Sequence, residues 1–219
     1  MFQTRKKTSI PKFTILIWLT TLVALLLMMF SSLDLTALFA IIPTEIVAQT
    51  QQVWWHFLKI FSALFLHGSW QHWLGNMLLF LIIALPLEKI VGGFWFLLIY
   101  FVAGFAANVT SIILLNESSH YLLGASGAVS GLLGAWIMLF PTQSVSIIIP
   151  VGFYIQKAKI PIILLAIIWL SFQILLQLIN QDNYTIVWSS HIIGFISGFF
   201  MAWLYTQISV PQSRYRNAK

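Results

Sequence analysis

Six apolar runs, each about twenty residues long, divide the chain at 13–30, 70–87, 93–115, 122–140, 160–179 and 186–208. An α-helix rises about 1.5 Å per residue and the hydrocarbon core of a bilayer is about 30 Å thick, so each run has the length of one crossing. A backbone in lipid has to satisfy its own amides and carbonyls, which helices do and open strands do not. The expected fold is therefore all-α, a polytopic membrane protein built as a six-helix bundle. Composition agrees: 60% of the 219 residues are hydrophobic and only 7% charged, a balance that leaves most of the surface facing lipid.

The cations set the orientation. With the amino terminus inside, Arg5, Lys6, Lys7, Lys12, Lys89, Lys157, Lys159, Arg214, Arg216 and Lys219 all fall on the inner side and only Lys59 falls outside. That asymmetry places both termini in the cytoplasm. It also accounts for the net charge of +6, since the basic residues are split among separate inner segments that meet anionic lipid, with no single stripe to hold nucleic acid. The first run follows a basic segment as a secretory signal would, but it is long and no A-x-A-like cleavage site comes after it, so it is read as a retained anchor. The chain thus divides into a basic segment at 1–12, one membrane domain at 13–208 and a basic tail at 209–219. No cysteine is present, which excludes a disulfide framework and any cysteine-ligated metal or Fe–S site.

Two connections stand out. Residues 31–69 remain on the outer side, with Trp54, Trp55, Phe57, Leu58, Ile60, Phe61, Leu64, Phe65 and Leu66 set among His56, Lys59 and His67. Such segments are expected to lie in the headgroup layer, where tryptophan rings prefer to sit. The inner stretch 141–159 is apolar but broken by Pro141, Pro150 and Gly152, and is expected to run along the inner surface without crossing.

Four polar residues then share one depth. Ser126 is four residues into the fourth run, His191 five into the sixth, and His72 and Asn76 two and six into the second, all counted from the outer side. They lie roughly 3–9 Å below the outer boundary on three different helices. Polar groups in a membrane are costly unless they face a partner or a wet cavity, so this convergence marks a candidate site. Its chemistry would be nucleophilic. A serine hydroxyl needs a base within hydrogen-bond reach, and His191 is of the right type to take its proton and pass it to a leaving amine. Backbone amides at the start of the fourth helix, with His72 and Asn76 four apart on one helical face, would supply donors to an oxyanion. Gly124 and Gly127 would let a substrate backbone come close.

Each residue also has a plainer reading. Gly127-x3-Gly131 and Gly194-x3-Gly198 are patterns that let membrane helices pack closely. Ser126 could bond back to its own helix, His191 could be a satisfied interior histidine, and Asn76 and Asn108 could join helices. The conjunction at one depth favours the site.

Taken together, Gly124-Ala125-Ser126-Gly127, His72-x3-Asn76 within HGSWQHWLGNM and His191-x2-Gly194-x3-Gly198 within SSHIIGFISGFF resemble the rhomboid intramembrane serine proteases. The similarity covers about residues 54–208, including the long outer first loop and Glu88-x3-Gly92 after the second helix. The resemblance implies Ser126 as nucleophile and His191 as its base, a dyad without a carboxylate. It implies His72, Asn76 and the Ser126 amide as the oxyanion site, with no metal or organic cofactor. Its implied substrates are transmembrane segments of other proteins, cut where a helix can unwind. The implied membrane, for a near-minimal six-helix chain without an organelle-targeting extension, is a bacterial cytoplasmic one.

The chain departs from the family pattern at three places. Leu58-Lys59 stands where Trp-Arg is common, Ser190 where alanine is usual, and Ser130 where an aromatic ring usually packs on the histidine; Trp188 or Tyr121 is expected to take over that packing. Two other functions are weighed. A catalytically inactive rhomboid-like protein that binds membrane clients conflicts with the retention of Ser126 and His191. A metal or haem protein is prompted by the outer position of His56, His67, His72, His120 and His191, but there is no HExxH and no carboxylate at their depth.

Overall fold

The structure, a computed structural model, describes residues 10–48, 53–151, 154–179 and 188–209. Four helices have the length and apolarity of membrane spans: α1 (Lys12–Phe30), α5 (Trp70–Val91), α6 (Gly93–Leu114) and α9 (Trp188–Ser209). Two further apolar helices are α7 (Ser126–Leu139), which is shorter, and α8 (Ile162–Ile179). Between α1 and α5 the chain folds into α2 (Leu35–Phe39), α3 (Pro43–Val47), α4 (Val53–Ser62) and a 3₁₀ turn at Ala63–Phe65. Trp54 of α4 is fully displayed while Lys59 and Ile60 on its other side are buried, and Phe57 and Phe61 pack on Phe105 of α6. That is the amphipathic arrangement expected of this segment.

Residues without bulk bring the central helices together. A Cβ at Gly194 or Gly198 of α9 would run into the carbonyl oxygens of Gly127 and Gly131 on α7, and one at Gly134 into that of Phe195. The opposite sides of Gly127 and Gly131 rest on Ala107 and Ala103 of α6. In lipid there is no hydrophobic force between helices, and close backbone approach supplies the dispersion contact that holds them. Around this α6–α7–α9 centre, α5 contributes Phe80 and Ile83 to a core that also buries Phe96, Tyr100, Leu132 and Leu133.

α1 is attached by polar groups. The buried Glu88 carboxylate near the end of α5 accepts hydrogen bonds from the Phe13 amide (3.1 Å), the Thr14 amide (2.7 Å) and the Thr14 hydroxyl (2.7 Å). Those amides lie in the first turn of α1, which has no intrahelical acceptors and carries the positive end of the helix dipole. Midway along, the Thr21 hydroxyl accepts from the Trp73 indole at 3.0 Å.

The stretch 141–161 adds strand to the expected all-α fold. Instead of an irregular segment, β1 (Ser144–Val151) pairs antiparallel with β2 (Tyr154–Pro161) in continuous register, from Ser144 opposite Pro161 to Val151 opposite Tyr154. Val145 and the β-branched run Ile147-Ile148-Ile149 favour a strand, and prolines are tolerated in a two-stranded ribbon because both strands are edges. The fold is thus mostly helical, with one hairpin between α7 and α8.

Candidate active site

The backbone entering α7 is shaped by Gly124, whose φ of +129° is open to glycine and strained for any other residue. Its amide donates to Ala63 O at 2.9 Å, and a Cβ there would lie 2.9 Å from His72 Cε1, so the imidazole rests directly against this turn. The helix then begins at Ser126 itself, four residues later than the apolar run suggests. Its first i→i−4 bond is from Val129 N to Ala125 O at 2.9 Å. The amides of residues 126–128 therefore precede the helical ladder and point out at the end where Ser126 sits.

Across the α7–α9 contact, His191 is the fourth residue of α9 and buried, and its Nε2 lies 2.7 Å from Ser126 Oγ. The two residues are 65 positions apart in the chain. Gly127 follows the serine and Gly194 is one turn beyond the histidine, so the glycine contact sets the separation of the two side chains. His191 Nδ1 is buried with no hydrogen-bond partner among the described residues. A serine–imidazole pair of this length suits proton transfer, and among the described residues no carboxylate is hydrogen-bonded to the imidazole.

His72 and Asn76 occupy the α5 side. The Ser69 hydroxyl caps α5 by accepting from His72 N at 3.1 Å. The His72 Nε2 would lie 3.0 Å from a Cβ on Gly124, which brings it to the turn that carries Ser126. Asn76, one turn further and buried, donates one amide hydrogen to His72 O at 3.0 Å; its Oδ1 has no partner among the described residues. One N–H of Asn76 remains for a ligand. Asn108 instead joins helices, donating to Ile60 O at 2.7 Å.

Sequence reasoning did not anticipate two neighbours. Ser130, one turn after Ser126 and fully buried, accepts a hydrogen bond from the Trp169 indole of α8 at 3.0 Å. An isolated serine in an apolar helix gives no clue to a donor on another helix. His67, just before α5, is also fully buried and meets the His72 ring edge-on at 5.1 Å. Burial, then the neighbouring His72, pushes its pKa down to about 3, so it is neutral. It borders a cavity of about 490 Å³ between the C-terminal end of α1 and the approach to α7, lined also by Leu25, Met28, Leu33, Tyr121 and Leu123. Tyr121 thus turns toward α1, and among the described residues no ring contact joins it to His191; Trp188 opens α9 three residues before the histidine. Of the other histidines, His120 pairs with the Ser118 hydroxyl at 3.2 Å and His56 lies on α4.

Known proteins share this arrangement of sequence. Residues 51–208 match the Rhomboid domain. RHOMBOID-like protein 1 of Arabidopsis thaliana is 30% identical over 189 residues, covering 86% of this chain and 43% of that protein. RHOMBOID-like protein 5 of the same plant is 29% identical over 74% of this chain and 47% of its own length. Rhomboid protease GluP of Bacillus subtilis is 30% identical over 72% of this chain and 27% of its own length. The chain spans less than half the length of each of these three relatives. The matched region begins just before α4 and runs to the end of α9, so it contains every residue that surrounds Ser126 and His191, and an integral membrane protein whose sequence matches in this way belongs to the rhomboid family.

Proposed function

We propose that this protein is an intramembrane serine endopeptidase that cleaves transmembrane segments of other membrane proteins. The observation that carries the reading is the 2.7 Å approach of Ser126 Oγ to His191 Nε2. Ser126 Oγ attacks the scissile carbonyl carbon while His191 Nε2 takes its proton. The developing oxyanion accepts from the free amides at the start of α7, from the remaining Asn76 N–H and from His72. Collapse of the tetrahedral intermediate breaks the C–N bond, and His191 returns the proton to the departing amine. Water, deprotonated by the same imidazole, then releases the acyl group and restores Ser126. Gly124 and Gly127 keep the approach to the hydroxyl clear, and Gly194 and Gly198 hold the base.

The accompanying topology has α7 and α8 completing six crossings within a single membrane domain at 13–208, with the basic segments 1–12 and 209–219 on the cytoplasmic side. The distribution of lysine and arginine supports it. A bacterial inner membrane suits this arrangement, and the GluP relatedness is in keeping with it.

Purified protein treated with a fluorophosphonate, read by intact and peptide mass, tests the dyad. An adduct on Ser126 that vanishes in both Ser126→Ala and His191→Ala supports the protease. A folded protein that forms no adduct beside a labelled control would make it a client-binding relative without hydrolytic activity.

A further inference from the structure

The β1–β2 hairpin has no role in the proposed hydrolysis, and of its described side chains Ser146, Tyr154, Gln156, Lys157 and Lys159 are exposed. Each strand is eight residues long, so the ribbon reaches about 26 Å. The register puts Ser144, Ser146, Lys157, Lys159 and Pro161 on one face and Val145, Tyr154, Gln156, Ala158 and Ile160 on the other, and Val145 at the base is packed into the helical core. Lys157 and Lys159 are exposed, and Tyr154 near the tip is 81% exposed.

Two physical limits fix the depth of such a ribbon. An isolated two-stranded hairpin is marginal in water, and one with this much isoleucine and valine would not remain there unaided. Both of its edges, however, display backbone amides and carbonyls with no strand beside them, and such edges are excluded from the hydrocarbon core. The headgroup layer satisfies both limits, offering acyl chains below and water and phosphate above.

Charge selects the occupant. His72 and Gly124 place the start of α7 beside the start of α5, so the hairpin after α7 lies at the same end as Glu88 and the beginning of α1. Lys12 and Lys89 are exposed at that end too. Of the five acidic residues, Asp34, Glu45, Glu117 and Asp182 belong to the opposite side by sequence order, and Glu88 is buried under α1. Among the described residues Lys59 forms the ion pair with Glu45, and neither hairpin lysine has an acidic partner there.

We propose that the β1–β2 hairpin docks on the cytoplasmic leaflet by binding anionic phospholipid headgroups, with Lys157 and Lys159 on phosphate. This rests on the proposed topology but not on hydrolysis by Ser126, so a chain that cuts nothing would still dock. Each lysine near an anionic surface contributes enough that removing two lowers the docked-to-free ratio about thirtyfold.

The absence of cysteine makes the test direct, because Tyr154→Cys creates a single site for an environment-sensitive dye in the full chain. The labelled protein is reconstituted in vesicles of phosphatidylcholine alone or with phosphatidylglycerol. Collisional quenching by aqueous iodide and by a shallow spin-labelled lipid is then measured, with fluorophosphonate labelling of Ser126 run in parallel as an independent check on the protease reading. The expected result is shielding from iodide and quenching by the lipid label in anionic vesicles, with loss of both in a Lys157→Gln, Lys159→Gln variant and at high salt. Equal accessibility in neutral and anionic vesicles overturns the proposal, as does an unchanged response of the double variant. Shielding in neutral vesicles by an added glutamate-rich peptide, matching that by anionic lipid, would instead make the hairpin a docking edge for acidic client segments and overturn it as well.

Discussion

Gly194 of α9 lies so close to the carbonyl of Gly127 on α7 that a single methyl group cannot be placed between them. The spacing of Ser126 from His191 is therefore set by two residues that do no chemistry. Gly194→Ala should push the helices apart at a cost of about 1–3 kcal/mol and reduce the rate of Ser126 labelling far more than it reduces stability. Thermal unfolding in detergent alongside labelling kinetics separates the two effects, and Ser126→Ala should abolish labelling with stability nearly intact. Equal labelling rates in Gly194→Ala and the parent would show that the contact does not govern the dyad.

Asn76 has one uncommitted N–H beside the site. Asn76→Ala should lower kcat on a transmembrane peptide by about 10²–10³, the range found when a single oxyanion donor is removed. KM should change little. A raised KM at unchanged kcat would mean that Asn76 binds the ground state and has no special part in the transition state.

Ser130→Ala leaves the buried Trp169 indole N–H without its acceptor, which should cost about 1–3 kcal/mol. Adding Trp169→Phe removes the orphaned donor, so the double variant should fall short of the sum of the single ones. A double-mutant cycle on thermal stability reads the coupling, and strict additivity would mean the hydrogen bond contributes nothing.

His67 gives a pH dependence with a definite sign. Its pKa is about 3 in the folded protein against 6.5 for a free imidazole, so below pH 6.5 the unfolded chain takes up a proton that the folded chain refuses. Stability should be level above that pH and fall as the pH drops toward 3, by about 1.4 kcal/mol per unit at most. Removing the imidazole in His67→Gln should flatten the slope relative to the parent by up to one proton. Parallel pH–stability curves for the two proteins would show that His67 is protonated in the fold.

How much of this was legible in the sequence depends on how local each signal is. The serine, the histidine and the two small-xxx-small patterns each sit on a strongly apolar helical run, and their common depth follows from counting residues, so their meeting was readable. The start of α7 was not, because Leu122 and Leu123 are as apolar as the helix that follows and only the φ of Gly124 separates them from it. The hairpin was hidden for a related reason: Pro150 and Gly152 look like loop residues until the strands on either side are known to pair. Ser130 with Trp169, and Glu88 with the first turn of α1, are contacts between distant residues whose own neighbourhoods give no hint of the partner.

The Glu88 carboxylate also has a consequence for biogenesis. Thr14 precedes it by 74 positions, so when α1 first enters the bilayer the acceptor for its opening amides has not yet been synthesised. Until α5 is inserted, the start of α1 has to stay hydrated at the membrane surface, and only afterwards can the first helix settle to its final depth. The helix made first, by this logic, settles only after α5 has been made.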